Sequence, residues 1–114
     1  MIIEQPITAA MVAATATAYY TADASLNRAI IDSLTFHNSD TSARTITVYL
    51  VPSGGAASTT NQLGPTRTLQ PDESVDWPEI YSGRKVLLGG GSVQCAASVA
   101  SVVNIHGTVL EHSF

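Results

Sequence analysis

The feature that most constrains the fold is the alternation in Arg44-Thr45-Ile46-Thr47-Val48-Tyr49-Leu50. Ile46, Val48 and Leu50 fall on one side, and Thr45, Thr47 and Tyr49 on the other. A period of two built from β-branched and aromatic residues marks a half-buried strand, because successive side chains leave opposite faces of the pleat. The preceding Ile30-Ile31-Asp32-Ser33-Leu34-Thr35-Phe36-His37-Asn38 has a similar rhythm, with Ile30, Asp32, Leu34, Phe36 and Asn38 in one phase. Between the two arms, Asn38-Ser39-Asp40-Thr41-Ser42 carries short polar side chains that bond to their own backbone and favour a turn. Ile30 to Val51 is therefore expected to be an antiparallel hairpin, with Leu34 and Phe36 packed beside Ile46, Val48 and Leu50. Asp32 falls on the apolar phase, where an unpaired carboxylate is costly, so it is expected near a sheet edge.

Further short segments repeat the pattern. Thr15 to Thr21, Thr66 to Leu69, Val75 to Trp77, Lys85 to Leu88, Ser92 to Ala97 and Ala100 to Leu110 each read as a strand. Pro52 with Gly54-Gly55, Pro71-Asp72-Glu73-Ser74 and Gly89-Gly90-Gly91 stop or reverse the chain. Ala56 to Gly64 is a long polar loop, and Pro78 to Gly83 fits a single helical turn. Residues 1–14 are expected to be a flexible arm or a short helix capped by Thr8, because an alanine-rich segment of this length is marginal alone. Residues 15–114 then make the folded domain. Seven or eight short strands need two packed antiparallel sheets, since one sheet cannot cover its own apolar face. The expected class is an all-β two-sheet sandwich, immunoglobulin-like or jelly-roll; it lacks the cysteine spacing of antibody domains.

Composition narrows the function. The 114 residues suffice for one domain with its own core. The net charge is −4, and Arg28, Arg44, Arg67, Arg84 and Lys85 form no basic run, which argues against nucleic acid as the main partner. No apolar stretch reaches bilayer-spanning length, and the beginning lacks a basic leader region, so a soluble chain without membrane partner or export address is expected. Cys95 is the single cysteine; it excludes an intrachain disulfide and reads as a small buried hydrophobe.

No residue set carries a strong chemical signal. The triple glycine lacks the Lys-Ser/Thr and helix of a phosphate loop, so no cofactor is expected. Cys95, His37, His106 and His112 are too dispersed for a copper or other metal site. Asp72, Glu73, Asp76 and Glu79 form an acidic cluster around a turn, best read as solvated carboxylates, with calcium as the alternative. No serine lies in a nucleophile elbow, and an enzyme is not expected. The aromatic residues are more informative. Trp77 reads as a lid over one end of the sandwich, and with Tyr81 it offers the alternative of a sugar-stacking platform. Tyr19 and Tyr20 should send their rings to opposite faces of a strand, leaving one free for subunit contact. Tyr19, Tyr20, Trp77 and Tyr81 are thus the candidate interface residues.

Several segments together resemble small structural proteins of tailed bacteriophages. They are Tyr20-Thr21-Ala22, Phe36-His37-Asn38, Thr45 to Gly55, Thr68 to Val75 and Val86 to Gln94. The resemblance covers most of the chain and lies in strands and turns, not in catalytic motifs. It implies a noncatalytic virion component, a capsid decoration or cement protein, with the major capsid protein or another virion protein as partner and a homotrimer as the favoured assembly. A tail or baseplate component is the alternative within that class, and a carbohydrate-binding module is the alternative outside it.

Overall fold

In a computed structural model describing residues 1–114, the alternating segments become nine strands. They are β1 (Ile2–Met11), β2 (Thr17–Thr21), β3 (Leu26–Asn38), β4 (Arg44–Val51), β5 (Arg67–Leu69), β6 (Ser74–Asp76), β7 (Val86–Leu88), β8 (Ser92–Ala97) and β9 (Val103–Ser113). One sheet has the order β1-β9-β3-β6, with β7 also paired to β3; the other has the order β2-β8-β4-β5. All pairings are antiparallel. Because β6 and β7 occupy successive lengths of the same flank of β3, the two layers have four positions each, and the chain crosses between them after every strand except β4 and β6. That is the jelly-roll arrangement of the two sandwich types expected.

The expected hairpin does not form. β3 and β4 lie in different sheets, so Leu34 and Phe36 meet Ile46 and Val48 across the core rather than along a ladder. Asn38 explains the crossing. Its side chain is fully buried, and its Nδ2 donates to the carbonyls of Ser42 at 2.9 Å, Leu69 at 3.1 Å and Gln70 at 3.2 Å. Its Oδ1 accepts from the Asp40 N–H at 3.0 Å. The main chain of Asn38 meanwhile exchanges hydrogen bonds with Asp72 and Glu73. A residue whose side chain holds the end of β5 while its backbone holds the entry to β6 forces the chain out of one sheet and into the other.

Asp32 is also placed differently from the sequence expectation. β3 is flanked on both sides, so Asp32 is not on an edge strand. Instead the β3–β9 register slips between Ile31 and Ser33. A bulge shifts the phase by one residue: Ala29 and Ile31 face inward before it, and Leu34 and Phe36 after it, while Asp32 is expelled to solvent. There its carboxylate accepts from Thr108 Oγ1 at 3.3 Å.

Residues 1–14 are neither a helix nor a detached arm. Ile2–Met11 pairs along β9, Ile7 and Val12 are buried in the core, and the Val12 N–H donates to Val103 at 2.7 Å. Ile2, Ile3 and Ile7 favour strand, and a ladder to β9 satisfies backbone groups that a short alanine helix would leave frayed. Gly107 permits this closeness: a Cβ there would lie 2.5 Å from the Ser33 carbonyl oxygen and 2.9 Å from Ile7.

Trp77, Ile80 and Leu63 close one side of the core. The loop before β5 is not loose, because Thr59–Asn61 forms a 3-10 turn and the Leu63 N–H donates to Val48 at 2.7 Å. Replacing Asn38 with Ala orphans several buried carbonyls at once, and should cost about 2–4 kcal/mol in a urea melt. An unchanged midpoint would show that Asn38 does not join the sheets.

Candidate assembly surface

The fold separates the aromatic residues singled out in the sequence. Trp77 is completely buried. Its Nε1 donates to the Leu63 carbonyl at 2.8 Å, its ring meets Phe36 edge-on at 5.4 Å, and the Arg67 guanidinium lies 5.3 Å from its centroid. It is the lid, and neither a partner protein nor a sugar can reach it without opening the core. A stacking platform shared with Tyr81 is therefore not present. Tyr81 is 65% exposed.

Tyr19 and Tyr20 do not divide cleanly between core and solvent. The β2–β8 register slips between Ala18 and Tyr20, and both rings stay half-buried against the core. Tyr19 Oη accepts from the Ala13 N–H at 2.6 Å, and Tyr20 Oη donates to the Glu111 carboxylate at 2.5 Å. Burial, then the Glu111 contacts, raise the Tyr20 pKa well above the usual phenol range. Of the four aromatic residues, Tyr81 offers an open ring.

The acidic residues disperse. Glu79 pairs with Arg67 at 2.6 Å, Asp76 accepts from Thr35 at 2.9 Å, and Glu73 accepts from the Gln70 N–H at 2.7 Å. Asp72 lies 3.1 Å from His37 Nε2, and His37 Nδ1 lies 2.7 Å from Ser74 Oγ. This Ser–His–Asp row escaped the sequence reading because its members join only when β6 pairs with the end of β3. Its setting does not suit acyl transfer. The Asp72 side chain is 91% exposed, and none of the three lines a concavity. A triad needs a buried acid to orient the imidazole and amide donors converging on a bound carbonyl. A fluorophosphonate probe should leave Ser74 unlabelled, and stoichiometric labelling abolished by Ser74→Ala would reopen the hydrolase reading.

Among the sheet edges, which also include β2, β5, β6 and β7, the first half of β1 is the most apolar and exposed. Ile2 to Pro6 are all exposed, whereas Ile7 is buried. β1 is an edge strand, so one row of its backbone groups faces no neighbour. The sheet register carries its level across β9 and β3 to the opposite flank. Ile2, His112, Arg28 and Leu88 form one row, and Glu4, Leu110, Ile30 and Val86 the next. Residues directly opposite one another share a face, so these rows present Ile2 at 62%, Leu88 at 70% and Val86 at 38% exposure on the outer side of the sheet. Desolvation, together with Arg28, the chain's amino group and Arg84, lowers the His112 pKa. Beside β7, Leu50, Pro52, Leu87 and Leu88 line an open groove of about 520 Å³.

No protein-family model matches the chain, and no curated protein does. Its fold is similar to that of a solved chain from Bacillus endospore appendages, described as a family of disulfide-linked pili. The TM-score is 0.56 at 14% identity, over 99% of this chain and 88% of that one. At that identity the likeness establishes the sandwich alone.

Cys95 is buried in the core between the sheets, and burial pushes its thiol pKa far upward. Both Cys95 and Tyr20 have folded-state pKa values above their ordinary 9.0 and 10.0. The folded state then holds protons that the unfolded chain releases, so stability is complete below about pH 9 and falls as pH rises further. The native protein should be inert to a thiol reagent at pH 8 until urea unfolds it. A Tyr20→Phe, Cys95→Ala variant should lose part of the alkaline decline in denaturation midpoint. Rapid native labelling, or an unchanged decline, would contradict these placements.

Proposed function

We propose that this chain is a noncatalytic structural subunit that assembles with further copies of itself into, or onto, a larger protein particle. The observation that carries this reading is the open first half of β1, an exposed strand edge flanked by Ile2 and Ile3 and left without lysine. Monomeric proteins normally blunt such edges with charge, brevity or cover, because an unpaired ladder templates association. The lack of a concave site holding convergent reactive groups agrees with work done by shape and contact.

The phage resemblance supports a virion as the particle, with the chain decorating the capsid and the major capsid protein as its partner. Multivalent contact then converts several weak junctions into stable attachment. The fold shared with a chain from pili supports a second setting, a filamentous appendage outside the cell. In either setting assembly proceeds without covalent links between cysteines, because Cys95 is sealed in the core.

Sedimentation equilibrium across a concentration series, with negative-stain microscopy of the same samples, separates these settings. A closed trimer independent of concentration supports capsid decoration. Mass that grows with concentration, accompanied by filaments, supports the appendage. A monomer at every concentration contradicts self-assembly.

A further inference from the structure

The two flanks of the β1 sheet complement each other in direction, hydrogen bonding and charge. We propose that β1 of one copy pairs antiparallel with β7 of a second copy, placing Ile2 opposite Leu88, Ile3 opposite Leu87 and Glu4 opposite Val86. This inference deepens the structural-subunit reading and rests on it.

Direction comes first. In the order β1-β9-β3-β7 every neighbour is antiparallel, so β1 and β7 run opposite ways. A second copy moved sideways within the sheet, without inversion, brings its β1 against β7 in antiparallel sense. The alternation of the sheet then continues unbroken from one copy to the next.

Backbone phase sets the register. The Ser113 N–H donates to the Met1 carbonyl at 3.0 Å, and the β1–β9 register is unbroken from Ile2 to Ile7. In an antiparallel ladder hydrogen-bonded pairs alternate with unbonded ones, so Ile3, Gln5 and Ile7 bond to β9. The N–H and C=O of Ile2 and Glu4 point away from it. On the other flank, the Ile31 N–H donates to the Lys85 carbonyl at 3.0 Å, so Lys85 and Leu87 bond to β3. The outward groups there belong to Val86 and Leu88. Pairing Ile2 with Leu88 and Glu4 with Val86 aligns free groups on both strands at every position but one: the Leu88 carbonyl already accepts from the Gly91 N–H at 2.9 Å and would take the Ile2 N–H on its second lone pair. A slip of one residue would oppose backbone groups already used and turn the side chains to the wrong face.

The available length matches as well. Pro6 falls on the outward phase, where its ring offers no N–H, and the β1–β9 register slips between Ile7 and Ala10. These two features close the rest of the β1 edge and leave Ile2 to Gln5 open, against the short strand Val86–Leu88. In this register Ile2 covers Leu88 on the outer face, and Ile3, which is 44% exposed, enters the groove beside Leu87. Glu4, the sole charge in β1, meets the flank that Arg84 and Lys85 precede. The contact joins two different surfaces, so it propagates as a twisted ribbon unless the rotation per step closes a ring.

Cross-linking tests the register. In a Cys95→Ala background, Ile2→Cys with Leu88→Cys places the two thiols on facing residues of neighbouring copies. Hydrogen-bonded antiparallel pairs have Cα atoms roughly 5.5 Å apart, within disulfide reach. Within one chain these residues are three strand spacings apart, about 14 Å, which forbids an internal bond. Mild oxidation should produce a ladder of multimers on a nonreducing gel, whereas either single variant should stop at dimers. Glu4→Pro removes an N–H that the fold does not use, so it should keep the wild-type melt yet weaken assembly about tenfold or more. If the wild type assembles by sedimentation but the double variant gives no ladder and Glu4→Pro assembles normally, the β1–β7 junction is wrong and the subunit reading survives. A wild type that never assembles overturns both.

Discussion

The fully buried amide of Asn38 is the interaction on which the two-layer arrangement depends. A carboxamide offers two donor hydrogens and an acceptor oxygen, and here all are engaged with backbone groups that would otherwise be stranded beneath the β5–β6 turn. Because those groups come from segments leading into opposite sheets, their satisfaction fixes where the chain leaves one layer for the other. The apolar residues fill the space between the layers, but they would fill it equally well in other connectivities. Hydrophobic burial is nondirectional; hydrogen bonding to Asn38 is directional, and it selects the connection.

The same sheet that supplies half the core also carries the open edge. β3 is covered on both flanks and bent by a bulge at Asp32, whereas β1 is covered on one flank only. Pro6 and the irregularity beyond Ile7 restrict exposure to a few residues. An edge limited in this way can pair with a matching strand but offers little to an arbitrary one. Such restriction limits how far an exposed apolar strand can template indiscriminate association.

Burial decides which reactive-looking groups are inert. Cys95 has the chemistry for cross-linking, but it is held between the sheets where the thiolate is disfavoured. Trp77 has the surface for a ligand, but it is spent on Phe36, Arg67 and the Leu63 carbonyl. His37, Ser74 and Asp72 have an enzyme's composition, yet they sit on an open surface where water screens them and nothing holds a substrate. Composition alone would rank these groups as the functional ones. Their surroundings argue against that role for each, and the open main chain of β1 and β7 is among the edges available for contact.

The sequence by itself determined the all-β class, the segments from Thr17 to Val109 that become strands, and the inward phase of Leu34, Phe36, Ile46 and Val48. Those are local matters, set by period-two alternation and by proline and glycine breaks. It also made Trp77 and Cys95 readable as core residues, since size and apolar character favour burial. Only the tertiary structure decided that β3 and β4 part company, that residues 1–14 join the sheet, and that Asp32 sits on a bulge. It alone brought Ile2 level with Leu88 through two intervening strands. Pairing partners and register depend on hydrogen bonds between residues about 65 to 110 positions apart, and no local pattern encodes which distant backbone a strand will meet.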